Sequence, residues 1–285
     1  MSKDTTPDTR ITAVVQTYNA SRHLDACLSC LHGADELLVV DMESTDDTVE
    51  IARRHGARVV VVPRGEHRIV EAYRNFAIHE AQNPWVLVVD ADELTPKALL
   101  DYLRAEIERD PTPRAFLIPI KNYFMGKWMR CYYPERIVRF FYRDGTDWPY
   151  RIHSRPTHMG PEVAIAADRT DLAFVHLANE GMSATVEKMN RYTDNEVPRR
   201  RASYRRWQFF TDPFFRFFKT FVLKKGFRDG WPGFIHAVQD GVYRFTALAK
   251  IEEESRAGRT ETDIERDART AGASTNSTTS QTKEQ

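Results

Sequence analysis

The sequence predicts an α/β protein: a mixed, mostly parallel β-sheet flanked by helices, followed by a C-terminal helical extension. Three observations predict it. From Ile11 to Arg109, short β-branched or apolar runs alternate with segments of helical period, the pattern of a parallel sheet with right-handed crossovers. Two of the runs end on an aspartate, Asp41 and Asp90, and the carboxyl edge of such a sheet is where ligands bind. Beyond Pro111 the alternation gives way to strands and hairpin-like pieces, and from about Ser183 to helices.

The elements follow in order. Ile11–Thr17 is β-branched and reads as the first strand, ended by Tyr18-Asn19. A helix follows from about Ser21, with Leu24, Cys27, Leu28 and Leu31 recurring at helical spacing. Glu36–Asp41 is the second strand, and a helix to about His55 follows it, with Ser44 or Thr45 as the expected N-cap. Arg58–Val62 is the third strand, and a helix over 69–81 carries Arg74-Asn75. Trp85–Val89 is apolar throughout, as in a strand buried on both faces. It runs straight into Asp90, Asp92 and Glu93, and a helix from Pro96 to about Arg109 comes next. Strands are expected at 115–120, 137–142 and 173–176, with hairpins near Gly126 and Gly145. Helices are expected at 183–203, around 213–223 and from Phe234 to about Glu254.

These readings divide the chain into a flexible N-terminus (1–10), a sheet domain (11–180), a helical region (181–254) and a disordered tail (255–285), whose single large aliphatic residue is Ile264. Lys+Arg and Asp+Glu both number 41, so net charge selects no partner. The first ten residues hold no apolar signal-peptide core, and no run reaches the roughly 18 apolar residues of a membrane span. The three cysteines, Cys27, Cys30 and Cys131, make no disulfide framework and read as thiols. A cytoplasmic protein is expected.

The acidic stretch after the fourth strand carries the chemistry. Residues two apart in extended chain point the same way, so Asp90 and Asp92 can converge on one point. Paired carboxylates at a sheet edge suit a hard divalent cation shared with substrate phosphates and water. The plainer reading is a polar strand end opening the next helix, with Thr95-Pro96 as cap and first turn. The first turn, Thr17-Tyr-Asn-Ala, has no G-x-G-x-x-G, and no P-loop sequence occurs. A second feature lies far downstream. From Arg199 to Arg228 there are ten Lys/Arg and one acid, Asp212, and eight Trp/Phe fall between Trp207 and Phe221. Such a helix either lies in a membrane interface or caps the sheet domain. No nucleic-acid-binding motif accompanies the charge.

Several motifs together resemble one family. Thr17-Tyr-Asn, Val40–Thr48, Arg74-Asn75 and Asp90-Ala-Asp-Glu93 stand in the order seen in family 2 glycosyltransferases of the GT-A nucleotide-binding fold. Tyr133–Arg139, Trp148 with His153, Lys188–Tyr192 and Gly226–Gly230 resemble the lipopolysaccharide core β-glucosyltransferase-like branch. The likeness covers about Ile11 to Ile251. It implies an inverting, metal-dependent transferase that uses a nucleotide-diphosphate sugar, UDP-linked, and a glycan or lipid-linked acceptor. It also implies cell-envelope synthesis; with the basic aromatic segment, peripheral membrane contact at the inner face of the plasma membrane is expected, and no nucleic-acid partner. A nucleotidylyltransferase would need a Gly-rich loop that Tyr18-Asn19-Ala20 is not. A catalytically silent scaffold of the same fold is the remaining alternative.

The resemblance also implies roles. Thr17, Tyr18, Asn19 and Asp41 would line the nucleotide pocket, Asp41 accepting a base N–H; otherwise Asp41 caps the next helix. Arg74 would face the diphosphate. Asp90 would hold the ribose or a metal-bound water, and Asp92, with Asp90 and His176, would hold Mg²⁺ or Mn²⁺. Asp92 and Glu93 would count with His153 as the catalytic residues, Glu93 supporting the site. A carboxylate about 6 Å from a phosphate charge is repelled by about 3 kcal/mol at an effective dielectric near 20, so a bridging cation makes physical sense. Ser154 stands where the branch has an acid. The general base is then His153, or an acid from Asp147, Glu135 or Glu162.

Overall fold

The structure is a computed structural model that describes residues 8–65, 73–149, 155–177, 181–256, 263 and 265–269. The chain divides into two compact units, Met1–Asn179 and Glu180–Gln285.

The first unit is built on β1 (Ile11–Thr17), β2 (Glu36–Asp41), β3 (Arg58–Val61) and β4 (Trp85–Asp90), all parallel. Between them run α1 (Ser21–Ser29), α2 (Thr48–Arg54) and α3 (Arg74–Glu80). After β5 (Glu93–Leu94) and α4 (Lys97–Arg109) come β6 (Ala115–Phe124), β7 (Lys127–Trp128), β8 (Glu135–Tyr142), β9 (Glu162–Ala164) and β10 (Phe174–His176). The strand order is β3-β2-β1-β4-β8-β6-β10-β5. β8 runs antiparallel to both β4 and β6, which makes the sheet mixed. It is the GT-A-type arrangement that the resemblance implies.

Period-two alternation sends successive side chains to opposite faces. Ile11, Ala13 and Val15 therefore join Leu24, Leu28 and Leu103 in the core on one side of the sheet. Val14, Val86 and Val88 join Ala77, Ile78 and Trp148 on the other. With both faces covered, β1 is buried along its whole length. The order of connections reverses between β1 and β4, so a crevice forms beyond their carboxyl ends. Thr17 is in register with Asp41 and Gln16 with Asp90, which brings the two aspartate-ended strands to one edge.

Several details differ from the sequence reading. Neither Ser44 nor Thr45 caps α2; Asp47 occupies the cap position with no side-chain cap hydrogen bond. The third helix is described only from Arg74, and 69–72 lie outside the described residues. Pro213 sits inside a helix rather than at its start. β5 and β9 pass unseen in the sequence because two or three residues carry no periodicity. The hairpin near Gly126 is present: Met125 and Gly126 both have positive φ, at 50° and 75°, and join β6 to β7 as a two-residue loop of the primed type does.

The second unit consists of α5 (Met182–Arg200), α6 (Gln208–Phe218) and α7 (Gly230–Arg256). A π-helical turn at Lys219–Leu223 and a 3-10 turn at Gly226–Asp229 join the last two. Phe209 meets Phe245 and Phe217 meets Phe234, so α6 lies antiparallel to the first half of α7. Gly241 permits the close approach: a Cβ there would stand 3.0 Å from the Pro213 carbonyl. Of the expected tail, Ser255 and Arg256 complete α7 and 265–269 are helical; most of the remainder lies outside the described residues.

Candidate active site

Asp90 ends β4 between two guanidiniums. Arg74, in the first turn of α3, donates to Oδ1 at 3.0 Å, and Arg139 on β8 donates to both oxygens. Burial alone would raise the Asp90 carboxyl, but Arg139 and then Arg74 hold it far below the usual carboxylate range. Glu93 lies beneath, 2% exposed. Its Oε2 accepts the Asp90 backbone N–H at 2.9 Å, and its Oε1 is 3.5 Å from Arg139. Burial pushes the Glu93 carboxyl up to about 7 against the opposing pull of Arg139.

Three of the expected site residues stand in this cluster. Both Asp90 oxygens accept from arginines. Arg74 is buried, bonded to Asp90 and stacked over the Trp148 ring at 4.6 Å from its centroid. Glu93 is buried and supports the Asp90 loop.

Asp92 and His176 are the accessible pair, with side chains 43% and 26% exposed. Asp92 Oδ2 and His176 Nε2 stand 3.3 Å apart, because β10 pairs with β5 so that His176 faces Glu93. Burial would lower the His176 pKa, but Asp92 raises it overall; His176 in turn lowers that of Asp92. Asn122, in register with His176 on β6, orients the ring. Its Nδ2 donates to Glu135 at 2.9 Å, so its Oδ1 must be the atom 2.9 Å from His176 Nδ1. Nδ1 therefore carries a proton, and Nε2 is the nitrogen that faces the Asp92 carboxylate.

That donor set fits a divalent cation. Neighbouring ligands of an octahedral ion, each about 2.1 Å from it, are about 3 Å apart, close to the observed separation. A hydrogen-bonded imidazole with its other nitrogen facing a carboxylate is an oriented ligand pair. Among the described residues, no cluster of three or more His, Cys, Asp or Glu forms a metal site, so phosphate oxygens and water would complete the shell.

The nucleotide-side residues gather around the β1 and β2 ends. Asp41 is fully buried. Its Oδ1 accepts from Thr17 and Ser44 hydroxyls at 2.8 and 2.5 Å, and its Oδ2 accepts the Ser44 N–H at 2.8 Å. It ties off the turn after β2 and does not cap α2, whose cap position is held by Asp47. Asn19 takes a left-handed φ of 48°, which asparagine tolerates, and its Oδ1 accepts the Thr45 N–H. Tyr18 lies under the Arg64 guanidinium, 3.6 Å from the ring centroid. His153 and Ser154 lie outside the described residues. Of the acids weighed as a base, Glu162 is bonded to Arg155 and His158, Glu135 holds Asn122, and Asp147 accepts from Asn75. Asn75 also accepts the Trp148 N–H at 2.6 Å, so the distant Arg74-Asn75 and Trp148 motifs are one contact.

Sequence reasoning missed Asn122 and passed over Arg139 within its motif. Arg139 was visible only as one residue of Tyr133–Arg139, and nothing local to Asn122 marks it; strand pairing alone sets it beside His176.

The chain is similar to several known proteins. Residues 12–160 match the model for glycosyl transferase family 2. An uncharacterized glycosyltransferase of Rickettsia felis is 28% identical over 260 residues, covering 86% of this chain and 90% of that protein. The lipopolysaccharide core biosynthesis glycosyltransferase LpsC of Rhizobium meliloti is 25% identical over 261 residues, covering 86% and 93%. The crystal structure of S. aureus TarS 1–349 with UDP-GlcNAc has a TM-score of 0.47 and 18% identity, over 87% of this chain and 92% of that one. With more than half its length matched by the family model, the chain belongs to glycosyl transferase family 2.

Proposed function

We propose that the protein is an inverting glycosyltransferase that moves a sugar from a UDP-linked donor to a glycan or lipid-linked acceptor of cell-surface polysaccharide or lipopolysaccharide synthesis. The observation that carries this reading is the accessible Asp92–His176 pair at the carboxyl edge of β4 and β10. Asp92 and His176 would hold Mg²⁺ or Mn²⁺ against the diphosphate, and the cation would supply Lewis-acid stabilisation of that leaving group. Asn122 orients the His176 ring so that Nε2 is the nitrogen such a cation would meet. The clamp of Arg74, Arg139 and Glu93 fixes Asp90, and through it the turn that aims Asp92.

In this reading an imidazole nitrogen of His153 takes the proton from the acceptor hydroxyl. The acceptor oxygen bonds to the anomeric carbon as that carbon's bond to the diphosphate oxygen breaks, in one displacement that inverts the centre. Thr17, Tyr18 and Asn19 would border the nucleoside. The protein would act in the cytoplasm at the inner face of the plasma membrane. Among the described residues no helix is long and apolar enough to cross a membrane, so the proposed contact is peripheral. A panel of sugar nucleotides, assayed with Mn²⁺ or Mg²⁺ for released nucleoside diphosphate, tests the reading. Turnover of one UDP-sugar, reduced in His153→Ala through kcat rather than KM, is the expected result. No turnover of any donor with either cation would contradict it.

A further inference from the structure

The antiparallel pair α6–α7 has two unlike faces. About the α6 axis, at about 100° per residue, Trp207, Phe210, Phe214 and Phe218 fall on one side of the seam marked by Pro213. About α7, Trp231, Phe234, Val238, Val242 and Phe245 fall on one side of the seam marked by Gly241. Angular sense reverses between antiparallel helices, so these two sets share a single face. The other side confirms the geometry: there Asp212 accepts from Arg244 at 2.6 Å. Beyond it α5 covers α7, with Tyr243 donating to Glu196 at 3.0 Å.

The shared face is exposed. Phe210, Trp231 and Phe214 are 85%, 76% and 68% accessible, and soluble proteins leave few contiguous apolar patches of this kind uncovered. At its turn end the face opens into an apolar recess of about 340 Å³ lined by Phe221, Phe227, Trp231 and Phe234. Exposed Lys219, Lys224, Lys225 and Arg228 stand around that end. The stretch from Tyr204 to Lys250 contains three acids, Asp212, Asp229 and Asp240. Asp212 is paired with Arg244, Asp229 is buried, and Asp240 accepts from Thr220. The rim is therefore basic.

We propose that the aromatic face of the α6–α7 hairpin is a docking surface for an anionic lipid bilayer. The hairpin lies in the plane of the interface, with its rings among the upper acyl chains and its lysines at the headgroups. Aromatic composition and a cationic rim select this occupant. Rings suit the boundary between headgroup and chain, and lysines near an anionic surface add attraction. A second copy of the chain would bring the same basic rim against itself. The inference deepens the proposed function, whose membrane-borne acceptor it rests on.

Flotation of the full chain with phosphatidylcholine vesicles, with and without phosphatidylglycerol, tests it. Wild type should float with the anionic vesicles and be partly released by salt. The triple variant Phe210→Ser, Phe214→Ser, Trp231→Ser should bind at least about tenfold more weakly with an unchanged melting temperature, since all three side chains are exposed. Lys224→Glu with Lys225→Glu should lose the preference for anionic vesicles. Equal flotation of wild type and triple variant would overturn the proposal. So would a wild-type dimer in light scattering that the triple variant dissolves, since a second copy would then cover the face. UDP-dependent stabilisation, measured on the same proteins, keeps the two ideas apart. Its survival alongside failed flotation sinks only the docking surface, and its absence alongside intact flotation sinks only the transferase.

Discussion

Arg139 and Asn122 decide how the acidic turn works, and each has a distinct test. Arg139 is a buried cation facing two carboxylates, Asp90 and Glu93. Removing one partner of a buried ion pair leaves uncompensated charge, typically at about 3–5 kcal/mol. Arg139→Leu should lower the unfolding free energy by that order in urea titration; a change under about 1 kcal/mol would show the cluster to be solvated. Asn122→Leu should leave stability nearly unchanged but free the His176 ring to adopt the other tautomer. Loss of such an orienting partner usually weakens metal binding by about 10- to 100-fold, measurable by Mn²⁺ titration of the protein. Asn122→Asp, which still accepts from Nδ1, should recover part of that affinity. At this scale the sequence offered Asp92 by its place in the acidic turn after β4 and His176 only through the family resemblance. It could not show that Asp90 would be consumed by arginines from α3 and β8, because those contacts span 16 and 49 residues.

Among the elements, those with strong periodicity were legible and the rest were not. β1, β2 and the start of α1 fall where the β-branched runs and the spacing of Leu24, Cys27, Leu28 and Leu31 place them. The N-cap of α2 was not legible, because Ser44 is drawn away by the Asp41 carboxylate. In the helical region the rings read either as an interfacial face or as a cap on the sheet domain. The fold divides them: Phe209 and Phe217 pack into the α6–α7 seam, while Phe210 and Phe214 face solvent. α7 is tied to the start of α6 through Glu252, which accepts from Tyr204, Arg206 and Arg256. These bonds, that of Tyr204 foremost, lower its pKa from 4.5 to about 2. A depressed carboxylate contributes stability that is present above its unfolded value and is lost as pH falls through the folded one. The melting temperature of this unit should therefore fall between about pH 5 and pH 2, and Arg206→Ala should flatten the decline. A wild-type profile with no such fall would show Glu252 to be unperturbed.

For the whole molecule, the two compact units carry different parts of the account. The sheet unit was readable as a class because alternating strands and helices leave few topologies open. The antiparallel insertion of β8 between β4 and β6 was not, since no local pattern reports strand order. The central claim is that Asp92 and His176 hold a cation for a nucleoside diphosphate, and thermal stabilisation by UDP tests it most directly. At about 100 times its Kd a ligand stabilises the folded state by about 2.7 kcal/mol, a rise of about 5–10 °C for a domain of this size. Wild type should show that rise with UDP and Mn²⁺ together and little with either alone, and Asp92→Asn should lose it. An equal rise with and without Mn²⁺, or no response to UDP in either protein, would contradict the account.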